Sequence, residues 1–268
     1  MLVSVIMPVY NVENYQVLVA SVESILKQTL QDFELIICND GSSNKKTHFF
    51  LKKIKKLDSR IKIISYRHNR GAAYCRNVGI KVSQGKYIAF QDDDDISAPS
   101  RLKKEVDFLE SHKEYSYVGT NANVFYKRKI WGEYVVPKIP RKRDFLWSSP
   151  FINPSILFRA NVLKSIGGFR ISEETKTSED YDLFLRLYAK GYYGFNIQEK
   201  LFNYRIEIGE ERKKKYRSMR DRIREAKIRF KGFKLLHLGI VAFPFVLKPI
   251  IIGLIPKKIF YLIRKKQY

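Results

Sequence analysis

From residue 2 to about 115, short apolar runs take turns with helix-spaced apolar positions. LVSVIMPV (2–9), FELIIC (33–38), IKIISY (61–66) and KYIAF (86–90) are nearly continuous apolar stretches, the pattern of strands buried on both faces. Between them, Leu18, Val22 and Ile25 recur at helical spacing, as do Phe50, Ile54 and Leu57, and then Cys75, Val78 and Val82. A further helix starts near Pro99 and carries Leu102, Val106 and Leu109. Strand–helix alternation with short turns predicts an α/β fold, an open and mostly parallel sheet flanked by helices. Ligands of such sheets sit beyond the carboxyl ends of the strands. Polar groups gather at those ends: Pro8-Val9-Tyr10-Asn11 after the first strand, Asn39-Asp40-Gly41 after the second, and Asp92-Asp93-Asp94-Asp95 after the fourth. Three polar strand ends on one sheet edge make a site.

Downstream, SEDYDLFLRLYAKG predicts a helix with Ser178 as N-cap, Tyr181, Phe184, Leu187 and Tyr188 as its buried face, and Gly191 as its stop. Glu179 and Asp180 fall in its first turn. The helix dipole favours carboxylates there, and a carboxylate in that place can also act as a general base towards a hydroxyl.

Composition adds limits. The 268 residues suffice for one large domain or a domain with an appendage, and 45% hydrophobic content excludes disorder for most of the chain. Cys38 and Cys75 form no disulfide framework and read as packed, reduced thiols. The first residues lack the pattern of a signal peptide, so a cytoplasmic location is expected. Of the formal +24 charge, residues 211–268 hold 18 basic and three acidic side chains, net +15. The boundary therefore falls between a domain over 1–210 and a basic, helix-compatible tail over 211–268.

The acid run stands out in so basic a chain. Two unit charges about 4 Å apart repel by roughly 1 kcal/mol in water and by several times more near a protein surface. Such acids either fan into solvent or await a cation. Continued as a strand, the run puts Asp92 and Asp94 on one side, two oxygen ligands suited to a hard divalent ion. The bland alternative is an acidic turn that caps the next helix with Asp95 or Ser97. Asp40 has two readings as well, a turn carboxylate bonded to nearby amides or a contact for a base or ribose. Arg76, after Gly71, is either a ligand-facing guanidinium or a surface residue. Trp147 is either packed or free to stack on a sugar ring. The four histidines are scattered and suggest no site.

VSVIMPVYN, CNDGSSN, NRGAAYCRNVGI, GKYIAFQDDDDI, PSILFRANVLKSIGGF and SEDYDLFLRL, in this order over about residues 1–206, resemble family 2 glycosyltransferases of the GT-A (Rossmann-like) fold. The resemblance implies a nucleotide-sugar donor, usually UDP-linked. It implies Pro8, Tyr10 and Asn11 near the base, Asp40 on the uracil or ribose with Arg76 close by, and Asp92-x-Asp94 as the metal-binding pair for Mg²⁺ or Mn²⁺. Asp93 falls at the variable, nucleotide-facing position, and Gln91 replaces a usual Leu; with four Asp in line the register can slide by one residue. Asp180 matches the family's general base, with Asn153, Gly167-Gly168-Phe169 and Glu179 on the acceptor side. The Gln-x-x-Arg-Trp element of processive synthases is missing, which implies transfer of a single sugar, and the resemblance implies that the transfer inverts the anomeric centre. The acceptor implied is a glycan or a lipid-linked sugar, as in bacterial surface polysaccharide assembly.

In the tail, residues 235–255 are mostly apolar but divided by Pro244, Lys248 and Pro249, and basic stretches flank them. Crossing a bilayer once would misplace one flank, so a helical hairpin or in-plane segment on an anionic membrane surface is expected. That would put the protein at the cytoplasmic face of the plasma membrane. A pair of helices packed on the domain is the alternative. Two other function classes compete. A metal-dependent nucleotidyltransferase would need a Gly-rich basic loop after the first strand, which PVYNVEN is not. A nucleic-acid binder would leave the tail's apolar halves with nothing to bury them, so no nucleic-acid partner is expected.

Overall fold

In a computed structural model, residues 1–127, 129–207 and 217–255 are described. Strands β1 (Val3–Val9), β2 (Phe33–Asn39), β3 (Ile61–Ser65) and β4 (Tyr87–Phe90) alternate with helices α1 (Tyr15–Leu26), α2 (Lys45–Ile54) and α3 (Ala72–Val82). The short β5 (Ile96–Ser97) then precedes α4 (Arg101–Ser111). The second half adds β6 (Tyr117–Tyr126), β7 (Lys129–Tyr134), β8 (Leu157–Arg159), α5 (Ala160–Ser165), α6 (Glu179–Ala189) and β9 (Gly194–Arg205). Two further helices follow, α7 (Met219–Leu235) and α8 (Phe243–Leu254).

The nine strands among the described residues join one sheet in the order β3-β2-β1-β4-β8-β6-β9-β5, and β7 pairs with β6 off this path, on the edge opposite β9. The expected parallel half is β3-β2-β1-β4. Beyond it β8 runs antiparallel to β4 and β6, while the long β6–β9 pair returns to parallel. Parallel pairing predominates in a mixed α/β sheet.

The apolar runs are buried on both sides, as their continuity requires. Val3, Val5, Met7 and Val9 of β1 face the core under α1 and α4, and Ile6 faces the core under α3 and α6. Leu57 and Val82, expected on buried helix faces, lie exposed: α2 ends at Ile54, and Val82 is the last residue of α3. Cys38 and Cys75 are free and buried, and the Cys75 thiol donates to the Cys38 carbonyl at 2.9 Å.

At the amino ends of the strands, away from the polar edge, Glu34 is buried. It accepts from Ser4 Oγ at 2.6 Å and Gln84 N at 3.0 Å, and pairs with Lys62 at 2.7 Å. One carboxylate thus ties β1, β2, β3 and the turn into β4.

The described part of the tail, 217–255, takes the packed arrangement. Ala226, Ile228 and Phe233 of α7 share the core of α6, and a Cβ on Gly232 would meet Leu185 of α6 at 2.4 Å. Among the described residues no helix is long and apolar enough to cross a membrane. The basic flank 256–268 and residues 212–216 of the one expected upstream lie outside the described residues.

Candidate functional site

A cleft of about 260 Å³ opens at the carboxyl ends of β1, β2 and β4, lined by Pro8, Val9, Tyr10, Asp40, Ala72, Arg76 and Asp92 to Asp94. Seven of the residues singled out by sequence meet here. Tyr10 is half exposed at its mouth. Asn11 sits beside it in the left-handed region (φ 46°), which Asn tolerates. Its side-chain carbonyl accepts from Ser43 N and Asn44 N, stitching the end of β1 to the start of α2.

Asp40 is buried and already engaged. Its carboxylate accepts from Asn69 Nδ2 at 2.9 Å, Arg70 N at 2.8 Å and Gly71 N at 2.8 Å, fixing the loop that opens α3. Only Gly fits at the next position: Gly41 has φ +63°, and a Cβ would lie 2.4 Å from the backbone of His68. Asp40 therefore shapes the cleft wall as well as lining it.

The acid run is a turn, not a continued strand. Asp95 N donates back to Asp92 O at 3.3 Å, and the alternation expected of a strand is lost. Asp92, Asp93 and Asp94 border the cleft while Asp95 is buried away from it, accepting from Arg205 N at 2.7 Å. Arg205 Nε also donates to the Asp94 carbonyl at 2.8 Å. Behind the turn, Gln91 donates to the Asp95 carbonyl and accepts from Ser97 Oγ and from Arg101, a fully buried residue paired with Glu105 at 3.3 Å. Sequence reading missed this bracket. Its one signal was a glutamine closing an apolar run, since a buried amide demands partners.

Burial pushes the Asp93 carboxyl up to about 8, and the charges of Asp94 and Asp92 add to it. Asp95 is raised for the same reasons in the same order. Across the cleft, Arg76 is almost fully buried. Its guanidinium pairs with Asp92 at 2.9 Å and Glu179 at 3.5 Å, and lies 5.5 Å from the centre of the Phe169 ring. Burial opposes its charge, but Asp92, Glu179 and Asp180 together lift its pKa above the ordinary value. Glu179 is raised by burial and by Asp180, against the pull of Arg76.

Arg76 thus joins the acid turn to the first turn of α6. Asp180 follows Glu179 there, its Oδ1 accepting from Tyr181 N at 2.8 Å. Ser178 holds the N-cap position, yet its hydroxyl caps nothing; its carbonyl accepts from Asp182 N instead. Gly168 and Phe169 are clasped by Asn77 of α3, which donates to Phe169 O at 2.7 Å and accepts from Phe169 N at 2.8 Å. A Cβ on Gly168 would strike Asn77 at 2.4 Å, so this glycine lets the clasp close and Phe169 slide under Arg76. Asn153 is buried in a short 3₁₀ turn, its side-chain oxygen without a partner. Trp147 is exposed, packed edge-on against Phe245 of α8 at 4.9 Å.

Among the described residues no group of three or more His, Cys, Asp or Glu side chains converges as a metal site by itself. The chemistry of the turn still fits a hard cation. Its donors are all carboxylate oxygens, and Mg²⁺ commonly takes one or two carboxylates and leaves its other positions to water and phosphate.

Residues 4–167 match the profile of Glycosyl transferase family 2. The chain belongs to that family. It is 34% identical over 265 residues to EpsE of Bacillus subtilis (strain 168), a relation that spans 99% of this chain and 94% of that one. It is 30% identical to the Escherichia coli UDP-Glc:alpha-D-GlcNAc-diphosphoundecaprenol beta-1,3-glucosyltransferase WfaP, over 93% of this chain and 94% of that one. Among solved structures, S. aureus TarS 1–349 in complex with UDP-GlcNAc aligns with a TM-score of 0.71 at 18% identity, covering 96% of this chain and 77% of TarS. The mannosyltransferase PcManGT of Pyrobaculum calidifontis, in complex with GDP-Man and Mn²⁺, aligns at 0.65 and 16% identity over 92% of this chain and 73% of its own. The glycosyltransferase thus has the GT-A fold, and its family sets aside the nucleotidyltransferase and the basic binding protein.

Proposed function

We propose that this glycosyltransferase moves a single sugar, with inversion, from a UDP-linked donor to a hydroxyl of a lipid-linked or glycan acceptor in bacterial surface polysaccharide assembly. One observation carries the reading: a cleft at the strand ends brings four carboxylates and Arg76 together and is joined through Arg76 to Glu179, the neighbour of Asp180. The UDP-Glc donor and diphosphoundecaprenol-linked acceptor in the name of WfaP support the substrate classes, as does the UDP-GlcNAc bound by TarS.

In this scheme Pro8, Tyr10 and Asn11 flank the base, and Asp40 and Asp93 face the ribose. Asp92 and Asp94 would hold Mg²⁺ or Mn²⁺, which when bound offsets the charge growing on the departing diphosphate. Arg76 adds positive charge on the same side. Asp180 takes the proton of the acceptor hydroxyl at its carboxylate, orienting that oxygen for in-line attack from the face opposite the diphosphate. One displacement inverts the anomeric centre. Glu179, with Asn153 and Gly168 behind it, shapes the acceptor side. Residues 1–210 carry the chemistry, and 211–268 attach it to the anionic cytoplasmic face of the plasma membrane.

The test is a screen of radiolabelled UDP-, GDP- and dTDP-hexoses with Mn²⁺ or Mg²⁺. Release or transfer of sugar from a UDP donor is expected, and turnover of none would end the proposal. Asp180→Asn should bind UDP normally and lose roughly 10²- to 10⁴-fold in transfer, the range of a lost general base. Unchanged transfer in that variant would refute the assignment.

A further inference from the structure

Helix α8 has two unlike sides. Val246 and Pro249 are buried, and the carbonyl of Pro249 accepts from Arg222 of α7. Phe243, Leu247, Ile251 and Leu254, at helical spacing, are 55%, 39%, 55% and 71% exposed. The turn before the helix extends the strip, with Ile240 at 89% and Val241 at 68%. Isolated surface apolar residues need no explanation, but a continuous strip of six does.

Lys248 should interrupt that strip, and it does not. Its ammonium donates to the Trp147 carbonyl at 2.6 Å and lies 5.0 Å over the Trp147 ring, on the side turned towards the protein. Burial, with Arg229 nearby, lowers its pKa. The charge that divides the run in sequence is thus drawn inwards, and the outer face stays apolar.

What covers the strip follows from charge. Residues 211–268 hold 18 basic and three acidic side chains, and Lys234 stands exposed in the last turn of α7. An apolar face on so basic a stretch of sequence matches an anionic lipid surface, in which apolar groups enter the acyl boundary while Lys and Arg stay with the headgroups. A protein partner would not need the long-range positive field.

We propose that α8 lies in the plane of an anionic bilayer with Ile240, Phe243, Leu247, Ile251 and Leu254 immersed. This deepens the membrane attachment proposed above by naming the face and the depth: a monotopic helix that stays docked on α7. It does not depend on the sugar or the acceptor.

Sedimentation of the full chain with vesicles of phosphatidylcholine containing one third phosphatidylglycerol tests it, beside pure phosphatidylcholine. Binding to the anionic vesicles is expected, falling as salt rises. The double variant Ile240→Asp, Ile251→Asp should bind at least tenfold more weakly. Both sites are open to solvent, so its thermal melting and UDP binding should match the parent, and Leu57→Asp, at an exposed apolar residue in the turn after α2, should bind vesicles as the parent does. Equal sedimentation of double variant and parent would overturn the proposal, and so would a parent that ignores vesicles or binds both compositions alike. Turnover of a soluble UDP-sugar, measured separately, keeps failure here distinct from failure of the catalytic reading.

Discussion

Arg76 is the residue on which the two halves of the cleft converge. Its planar fork spans Asp92 and Glu179, which lie on different elements, while Phe169 supports it from beneath. A lysine ammonium is a point charge and cannot span both carboxylates. Arg76→Lys should fold and should weaken UDP binding about tenfold, read by calorimetry; unaltered affinity would remove Arg76 from the donor side. Single residues were only partly legible in the sequence. Asp40, Arg76 and the acid run could be found because strand ends concentrate polar groups. Their partners could not, since Asn69, Arg205 and Phe169 are brought to them by loops and strands far along the chain. The alternation applied to Asp92–Asp95 failed for a local reason: the backbone turns as soon as Gln91 leaves the sheet.

At the scale of elements, Glu34 binds the strands together at the end remote from the cleft. Burial alone would raise its carboxyl, but Lys62, Ser4 and the Gln84 amide outweigh that and bring its pKa below the ordinary value. The folded state therefore binds its proton less readily than the unfolded chain. The stabilisation is present above the usual carboxylate range and is lost as pH falls through the folded value. Glu34→Ala should cost about 3 kcal/mol at neutral pH, because Ser4, Lys62 and the Gln84 amide lose their acceptor. Urea unfolding measures it, and the gap between variant and parent should narrow in acid. A cost below about 1 kcal/mol would mean that the buried carboxylate contributes little. The strands and helices of the first hundred residues were readable because both periods are strict there. β7, β8 and β9 were not, since short or half-exposed strands of a mixed sheet give no continuous apolar run.

For the molecule as a whole, the tail helices are part of the body they follow. Gly232 of α7 meets Leu185 of α6 with no room for a methyl group, and Arg229 donates to the carbonyls of Leu146 and Trp147. Gly232→Val should displace Leu185 and destabilise the protein by about 1–3 kcal/mol, seen as a lower melting temperature. An unchanged melting temperature would show that α7 rests only loosely on α6. Removing residues 211–268 would uncover Phe233 and Ile228 contacts in the central core, so point changes on the outer face of α8 are the cleaner probe of attachment. The charge split made the tail visible in sequence, but its docking was hidden, because a helix dense in Arg looks solvated until those side chains find carbonyls.

The bracket that Arg205 places on Asp94 and Asp95 joins positions 110 residues apart. On a ribosome, the acidic turn emerges long before the strand that clasps it. Until β9 is threaded between β6 and β5, a nascent chain has nothing to hold those carboxylates in place. The cleft edge ripens last, and any fragment that stops short of Arg205 should possess helices and a parallel half-sheet but no finished pocket.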